Sequence, residues 1–183
     1  MKAQTSIREH YKKVVVPALQ KEFGFTNLLS VPRITKVVLN IGFNSASKEA
    51  RLQEVALRTL ERITGQKPVI TRARKSISNF KIREGMPIGS MVTLRGPRMY
   101  DFIEKLINIA LPRVRDFRGI ESTSLDTCGN LSIGFREHIV FPEIRSDEIE
   151  TIHGLEVAIV TTAKSREVGK RLFELLGFPF SHS

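Results

Sequence analysis

ITKVVLNI, residues 34–41, decides how the rest of the chain is to be read. Successive side chains of an extended chain point to opposite faces. Thr35, Val37, Leu39 and Ile41 therefore share one side, and Ile34, Lys36, Val38 and Asn40 share the other. That is a strand with a core side and a mixed side. Upstream, Ile7, Tyr11, Val14, Val15, Ala18 and Leu19 recur at helical spacing and predict an amphipathic helix, kinked by Pro17. Downstream, Ser47 suits the N-cap of a helix whose buried face is Leu52, Val55, Ala56, Leu60 and Ile63, with Gly65 at its C-terminal end.

The pattern continues as an alternation of strands and helices without repeats. Val69 to Arg72 predicts a second strand, and Ile88 to Arg95 a third, with Val92 and Leu94 toward the core and Met91, Thr93 and Arg95 opposite. Pro97 starts a helix through Phe102, Ile103, Leu106 and Ala110 that must stop near Pro112. The turn Asp126-Thr127-Cys128-Gly129-Asn130 and the strand Leu131, Ile133, Phe135 read as a hairpin. Leu155, Val157, Ile159 and Thr161 alternate in a further strand. Ser165 caps a closing helix that buries Val168, Leu172, Leu175 and Leu176. The expectation is one α+β domain over residues 1–183: a largely antiparallel sheet, helices packed on one face, and the other face open.

The formal charge of +10 is unevenly spread. Residues 1–71 hold 12 Lys/Arg against 5 Asp/Glu and residues 72–118 hold 11 against 4, whereas residues 119–183 hold 6 against 10. Such polarity implies an anionic partner on one side and a different partner on the other. Nucleic acid leads, because phosphates reward Lys and Arg through counterion release. An anionic membrane surface is the weaker competitor, since the best amphipathic helices are accounted for as core elements. No run approaches the roughly 18 apolar residues of a membrane span, and the first residues lack a signal peptide's apolar segment, so a soluble, intracellular protein is expected.

Several chemistries lack their signatures. There is no glycine-rich phosphate loop, dinucleotide fingerprint, HExxH or nucleophile elbow. His10, His138, His153 and His182 lack metal-ligand spacing, and the single Cys128 reads as an incidental loop thiol. Asp126, or the group Glu143, Asp147, Glu148 and Glu150, could in principle hold a metal for a nuclease; an acidic run is more often a solvated or partner-facing surface. No catalysis and no cofactor are expected. On the open face, Lys36 and Asn40 beside Thr93 and Arg95 would present cations, an amide and a hydroxyl, groups suited to phosphate, ribose and base edges, although a plainly solvated sheet face would look the same. Without Trp and with only two Tyr, that face is not a base-stacking platform. The segment ITRARKSISNFKIREGMPIGS, residues 70–90, crowds Arg72, Arg74, Lys75, Lys81 and Arg83 around one acid, Glu84, without any sustained period.

Five blocks carry a resemblance: VPRITKVVLNIG, TGQKPVITRARKSISNFKIREGMPIG, VTLRGPRMYDFIEKLINIALPRVRDFRG, GNLSIGFREHIVFPEI and GLEVAIVTTAKSREVGKRLFELLGFPF. In order, they resemble the bacterial large-subunit ribosomal protein number five, and the match runs over nearly the whole chain, from about Tyr11 to Phe180. The resemblance implies a 5S rRNA binder in the central protuberance of the cytoplasmic ribosome. It also implies contact with 23S rRNA and with neighbouring large-subunit proteins there. Carried over by motif, Asn40 and Gly42 in LNIG, Gln66 and Lys67 in GQKP, and Thr93 with Arg95 in VTLRG would touch 5S rRNA, with Arg33 and Lys36 adding phosphate contacts. The segment from Arg72 to Gly89 would be an extended loop reaching the P-site tRNA, ordered by that partner, with Arg72, Arg74, Lys75, Lys81 and Arg83 on the backbone. Ser76, Ser78 and Asn79 would hydrogen-bond to it, and Phe80 would pack against the loop base rather than stack on RNA. Glu143, Asp147, Glu148 and Glu150 would reach a small-subunit head protein, number thirteen. Cys128 in LDTCGN departs from the family pattern. Two other functions stay open: a general RNA chaperone without 5S specificity, and a metal-dependent nuclease.

Overall fold

The structure, a computed structural model, describes residues 6–43, 50–144 and 152–181. Five strands, β1 (Ile34–Gly42), β2 (Val69–Arg72), β3 (Pro87–Leu94), β4 (Leu131–Phe135) and β5 (Leu155–Thr161), form one antiparallel sheet in the order β2-β3-β1-β5-β4. The α+β reading holds. Along β1, Val37, Leu39 and Ile41 are buried, while Lys36, Val38 and Asn40 are half-buried. Ile34 departs from this alternation. It is buried like Val31 and Pro32 just before it, while Thr35, expected on the core side, is half-buried. In β5 all four expected residues, Leu155, Val157, Ile159 and Thr161, are buried.

The first helix forms in three pieces: α1 (Ile7–His10), a π-helical turn (Tyr11–Val15) and α2 (Val16–Phe23). Pro17 has no N–H for the preceding turn and its ring crowds the carbonyl four residues back, so a widened turn before it relieves both. The buried stripe then advances in steps of four through Ile7, Val15 and Leu19, with Tyr11 half-buried. Val14, expected on that face, is 48% exposed. In α3 (Ala50–Thr64), Ala56, Leu60 and Ile63 are buried and Val55 is half-buried; Ser47 and the side chain of Leu52 lie outside the described residues. α4 (Pro97–Lys105) runs through a second π turn (Leu106–Ala110) into a 3-10 turn at Leu111–Arg113, ending at Pro112 as expected.

The closing helix α5 (Arg166–Leu176) is capped by Ser165, whose hydroxyl accepts from the Val168 N–H. Its buried stripe is Gly169, Leu172, Phe173 and Leu176; Val168 and Leu175 are only half-buried. Gly169 in this stripe lies against the backbone of Gly129, which any side chain there would strike. The loop around Cys128 is correspondingly tighter than a hairpin. One bridge, Leu125↔Leu131, closes it, and a 3-10 turn at Ser122–Ser124 takes the place of the second strand.

The chain divides into two compact units. One comprises Met1–Val37, Leu94–Ile133 and Ala158–Ser183, with Val15, Leu19, Ile103, Leu106, Leu172 and Phe173 in its core. The other comprises Val38–Thr93 and Gly134–Val157 and buries Leu39, Ile41, Leu60, Val92, Phe141 and Val157.

Candidate nucleic-acid interface

In the second unit, the end of α3 sets up the site. Gly65 adopts a left-handed φ of 63°, which lets its N–H donate to Glu61 and stops the helix. The Thr64 hydroxyl donates to the Leu60 carbonyl at 2.6 Å and accepts from the Gln66 N–H at 3.2 Å, so the chain leaves the helix in a fixed direction. Gln66 then donates from Nε2 to the Thr93 carbonyl at 3.4 Å. Two motifs 27 residues apart, GQKP and VTLRG, are thereby brought together. Lys67 beside them is exposed, and Thr93 is half-buried on the side of β3 away from Val92 and Leu94.

Asn40 and Gly42 close β1 in the same unit, Asn40 half-buried and Gly42 exposed. The Phe43 N–H donates to the Ile88 carbonyl at 2.8 Å, joining this end of β1 to β3. Gly89 makes the approach possible. A Cβ there would lie 2.8 Å from the Ile41 carbonyl oxygen and 2.9 Å from Thr71 Oγ1. Sequence reasoning passed over Gly89, although an isolated glycine inside a strand signals a close backbone approach. The face also has an apolar part, in which Met91, set by the alternation opposite Val92 and Leu94, is joined by Val69. β2 pairs with β3 through Val69↔Met91, and the two side chains are 63% and 37% exposed on the same side of the sheet. The surface thus carries aliphatic groups among the polar ones.

Arg33, Lys36 and Arg95 belong to the other unit. The Arg33 N–H donates to Thr162 Oγ1 at 3.0 Å, and its side chain is exposed. Two phenols stand near it. The Tyr11 hydroxyl donates to the Pro32 carbonyl at 3.0 Å; burial and then Tyr100 push its pKa up to about 12, against a smaller opposing pull from Arg33. Burial raises Tyr100 as well, against Arg8 and Arg33. Arg8, Tyr11 and Tyr100 therefore join Arg33 in one patch, which no local pattern announces because its members come from three separate elements.

The basic segment, expected as an extended loop, carries hydrogen bonds of its own. The Ala73 N–H donates to Met86 and the Gly85 N–H to Ala73, each at 2.9 Å, and Arg72 Nη1 reaches the Gly85 carbonyl at 2.9 Å. Further out, Ile77 and Ile82 exchange both backbone hydrogen bonds, and the Ser76 hydroxyl accepts from the Glu84 N–H. A 3-10 turn at Ser78–Phe80 makes the tip. This is an irregular β-hairpin extending from β2 and β3, and the register shift between Thr71 and Arg72 is what erased its period from the sequence. Arg72, Arg74, Lys75, Ser76, Ser78, Asn79, Lys81 and Arg83 are all exposed. Phe80 is not packed against the base: it is 62% exposed.

Of the acidic group, Glu143 is half-buried, while Asp147, Glu148 and Glu150 lie outside the described residues. The chain on either side of them is tied together. The His138 and His153 rings stack 4.0 Å apart and 3° from parallel, the His138 N–H donates to the His153 carbonyl, and His153 Nε2 lies 3.3 Å from Thr59 Oγ1. Burial lowers the pKa of both rings. Both oxygens of Asp126 accept from Asn130, at 2.7 and 2.6 Å, so that carboxylate closes its turn. Among the described residues, no three His, Cys, Asp or Glu side chains are grouped to hold a metal ion, and no helix is long and apolar enough to cross a membrane.

Two family models match the chain: "Ribosomal protein L5" over residues 27–83, and the C-terminus of the same ribosomal family over residues 87–180. Among curated proteins, the chain is 56% identical over 175 residues to the large ribosomal subunit protein uL5 of Caldanaerobacter subterraneus subsp. tengcongensis, covering 96% of this chain and 98% of that one. It is 55% identical over 174 residues to the uL5 protein of Chloroflexus aurantiacus, covering 95% and 97%. To that of Thermotoga maritima it is 54% identical over 174 residues, covering 95% of each.

Proposed function

We propose, from the premise that this chain belongs to the ribosomal protein L5 family, that its open sheet face seats 5S rRNA in the central protuberance of the large subunit. The protein is a structural, non-enzymatic constituent of the large ribosomal subunit. Its ribosomal RNA partner supplies the polyanion that the basic part of the chain requires. Within that assembly Asn40, Gly42, Gln66, Lys67 and Thr93 read 5S rRNA, and Arg33, Lys36 and Arg95 hold phosphates. The basic hairpin reaches the P-site tRNA. The acidic segment with Glu143, Asp147, Glu148 and Glu150 meets the small-subunit head protein number thirteen, and 23S rRNA and neighbouring proteins of the protuberance complete the surroundings.

The observation that carries this reading is the junction of Gln66 with β3 at Thr93. It ties the Gln66 side chain to the β3 backbone at Thr93, next in sequence to the exposed Lys67, and supports a surface that offers polar groups for base-edge and ribose recognition as well as charge. The test is the affinity for folded 5S rRNA against transfer RNA at physiological salt, with Asn40→Ala/Thr93→Ala alongside. A preference of about a hundredfold, lost in the double variant, is expected. The formal charge of +10 favours a second reading, a general RNA chaperone. Equal affinity for both RNAs, insensitive to the two substitutions and steeply salt-dependent, would establish that reading instead.

A further inference from the structure

The tip of the basic hairpin holds an aromatic ring in solvent. Phe80 is 62% exposed and Ile77, three residues before it, is 45% exposed. A phenylalanine gains most from burial, and this one forgoes it although the hairpin around it is well ordered by its own hydrogen bonds. The backbone holds the ring there. Ile77 and Ile82 close the tip through paired hydrogen bonds, Ser78–Phe80 form a 3-10 turn, and Lys81 takes a left-handed φ of 52° that reverses the chain immediately after Phe80. Returning the chain from so short a tip requires that conformation, which Lys81 adopts although glycine would do so at lower cost.

The surroundings choose the ligand. Arg74, Lys75, Lys81 and Arg83 are exposed on the same hairpin, and Glu84 is the only acid in it. Cations alone would suffice for a phosphate backbone, and an apolar protein surface would be repelled by none of them but would reward none either. A ring among cations matches a polyanion that also offers a π-face: RNA with an unstacked base or the uncovered end of a helix. We propose that Phe80, flanked by Ile77, is a stacking platform for an exposed base face of RNA, while Arg74, Lys75, Lys81 and Arg83 hold the phosphates around it. This rests on the reading above that the hairpin contacts RNA.

The test uses ribosomes in which the variant is the only copy of this protein, and reads the rate at which tRNA leaves the P site. Stacking on an aromatic predicts that Phe80→Ala speeds release about 5- to 150-fold. Phe80→Leu should be nearly as fast, whereas Phe80→Tyr and Phe80→Trp should stay near the wild type. Because Phe80 is exposed, the melting temperature of the free protein and the 5S rRNA content of the particles should not change, which separates stacking from misfolding. A leucine variant that holds tRNA as well as phenylalanine would overturn stacking. So would an alanine variant that leaves tRNA release unchanged but loosens subunit association, which would point to a protein partner. If Arg74→Ala/Lys75→Ala speeds release while Phe80→Ala does not, the platform is wrong but the RNA-contacting hairpin stands. If neither matters, both fall.

Discussion

Replacing Gly89 by alanine adds one carbon where β3 passes close to β1. The new Cβ would stand 2.8 Å from the Ile41 carbonyl oxygen, 2.9 Å from Thr71 Oγ1 and 3.6 Å from Gly42 Cα. The threonine hydroxyl can rotate away, but the Ile41 carbonyl is part of the backbone of β1, so a strand has to move. Overpacking of this kind costs about 1–3 kcal/mol. Against it, alanine loses less backbone freedom on folding than glycine, a gain of about 0.4–1 kcal/mol. The net is a destabilisation of up to about 2.6 kcal/mol, or a melting temperature lower by up to about 10 °C for a chain of this size. Gly134→Ala is the control. That glycine is exposed in β4 with nothing within 4 Å of its Cβ position, so only the entropic gain remains and melting should rise by about 1–4 °C. Thermal unfolding by circular dichroism compares the three proteins at one concentration. The strand shift should also weaken 5S rRNA binding in the Gly89 variant and not in the Gly134 variant. If Gly89→Ala melts at or above the wild type, or if both variants move in the same direction, the close approach of β1 and β3 does not govern this site.

Tyr11→Phe removes the hydroxyl that donates to the Pro32 carbonyl and should cost about 0.5–1.5 kcal/mol, measured by denaturant unfolding. In the wild type, ultraviolet titration should show Tyr11 ionising only near pH 12, and ordinary titration of both tyrosines near pH 10 would contradict the packing around Arg33. For the stacked histidines, burial favours the neutral rings in the folded state and places both folded pKa values below the unfolded value of about 6.5. The stability they contribute is fully present above that pH and is lost as pH falls through the lowered values. His153→Gln should flatten this acid dependence, and ring titrations followed by NMR should show both midpoints below the ordinary histidine range. A midpoint at or above it would count against the stack.

Much of the scaffold was legible from neighbours in sequence. The alternation in ITKVVLNI, LEVAIVT and the end of β3, the glycine that ends α3, the serine that caps α5 and the prolines around α4 all act within a turn or two of the chain. Their physics is complete in a short window. The same window misjudged Val14, because the effect of Pro17 on the preceding turn changes the pitch of the buried stripe. In the basic segment a register shift and a 3-10 tip interrupt any period that would mark the hydrogen-bonded stretches on either side of the tip.

Composition and periodicity determined that this protein has a mixed sheet-and-helix fold with a cationic surface and no recognisable catalytic motif. The collinear motifs determined its family. Tertiary structure alone decided that Gln66 bonds to Thr93, that His138 lies flat on His153, that Gly129 meets Gly169, and that Phe80 faces water. The reason is one of range. Strand and helix patterns come from how a residue's own backbone and near neighbours exclude one another. Contacts across tens of residues exist only once the whole chain has chosen a path, and a partner so far away leaves no mark on the local sequence.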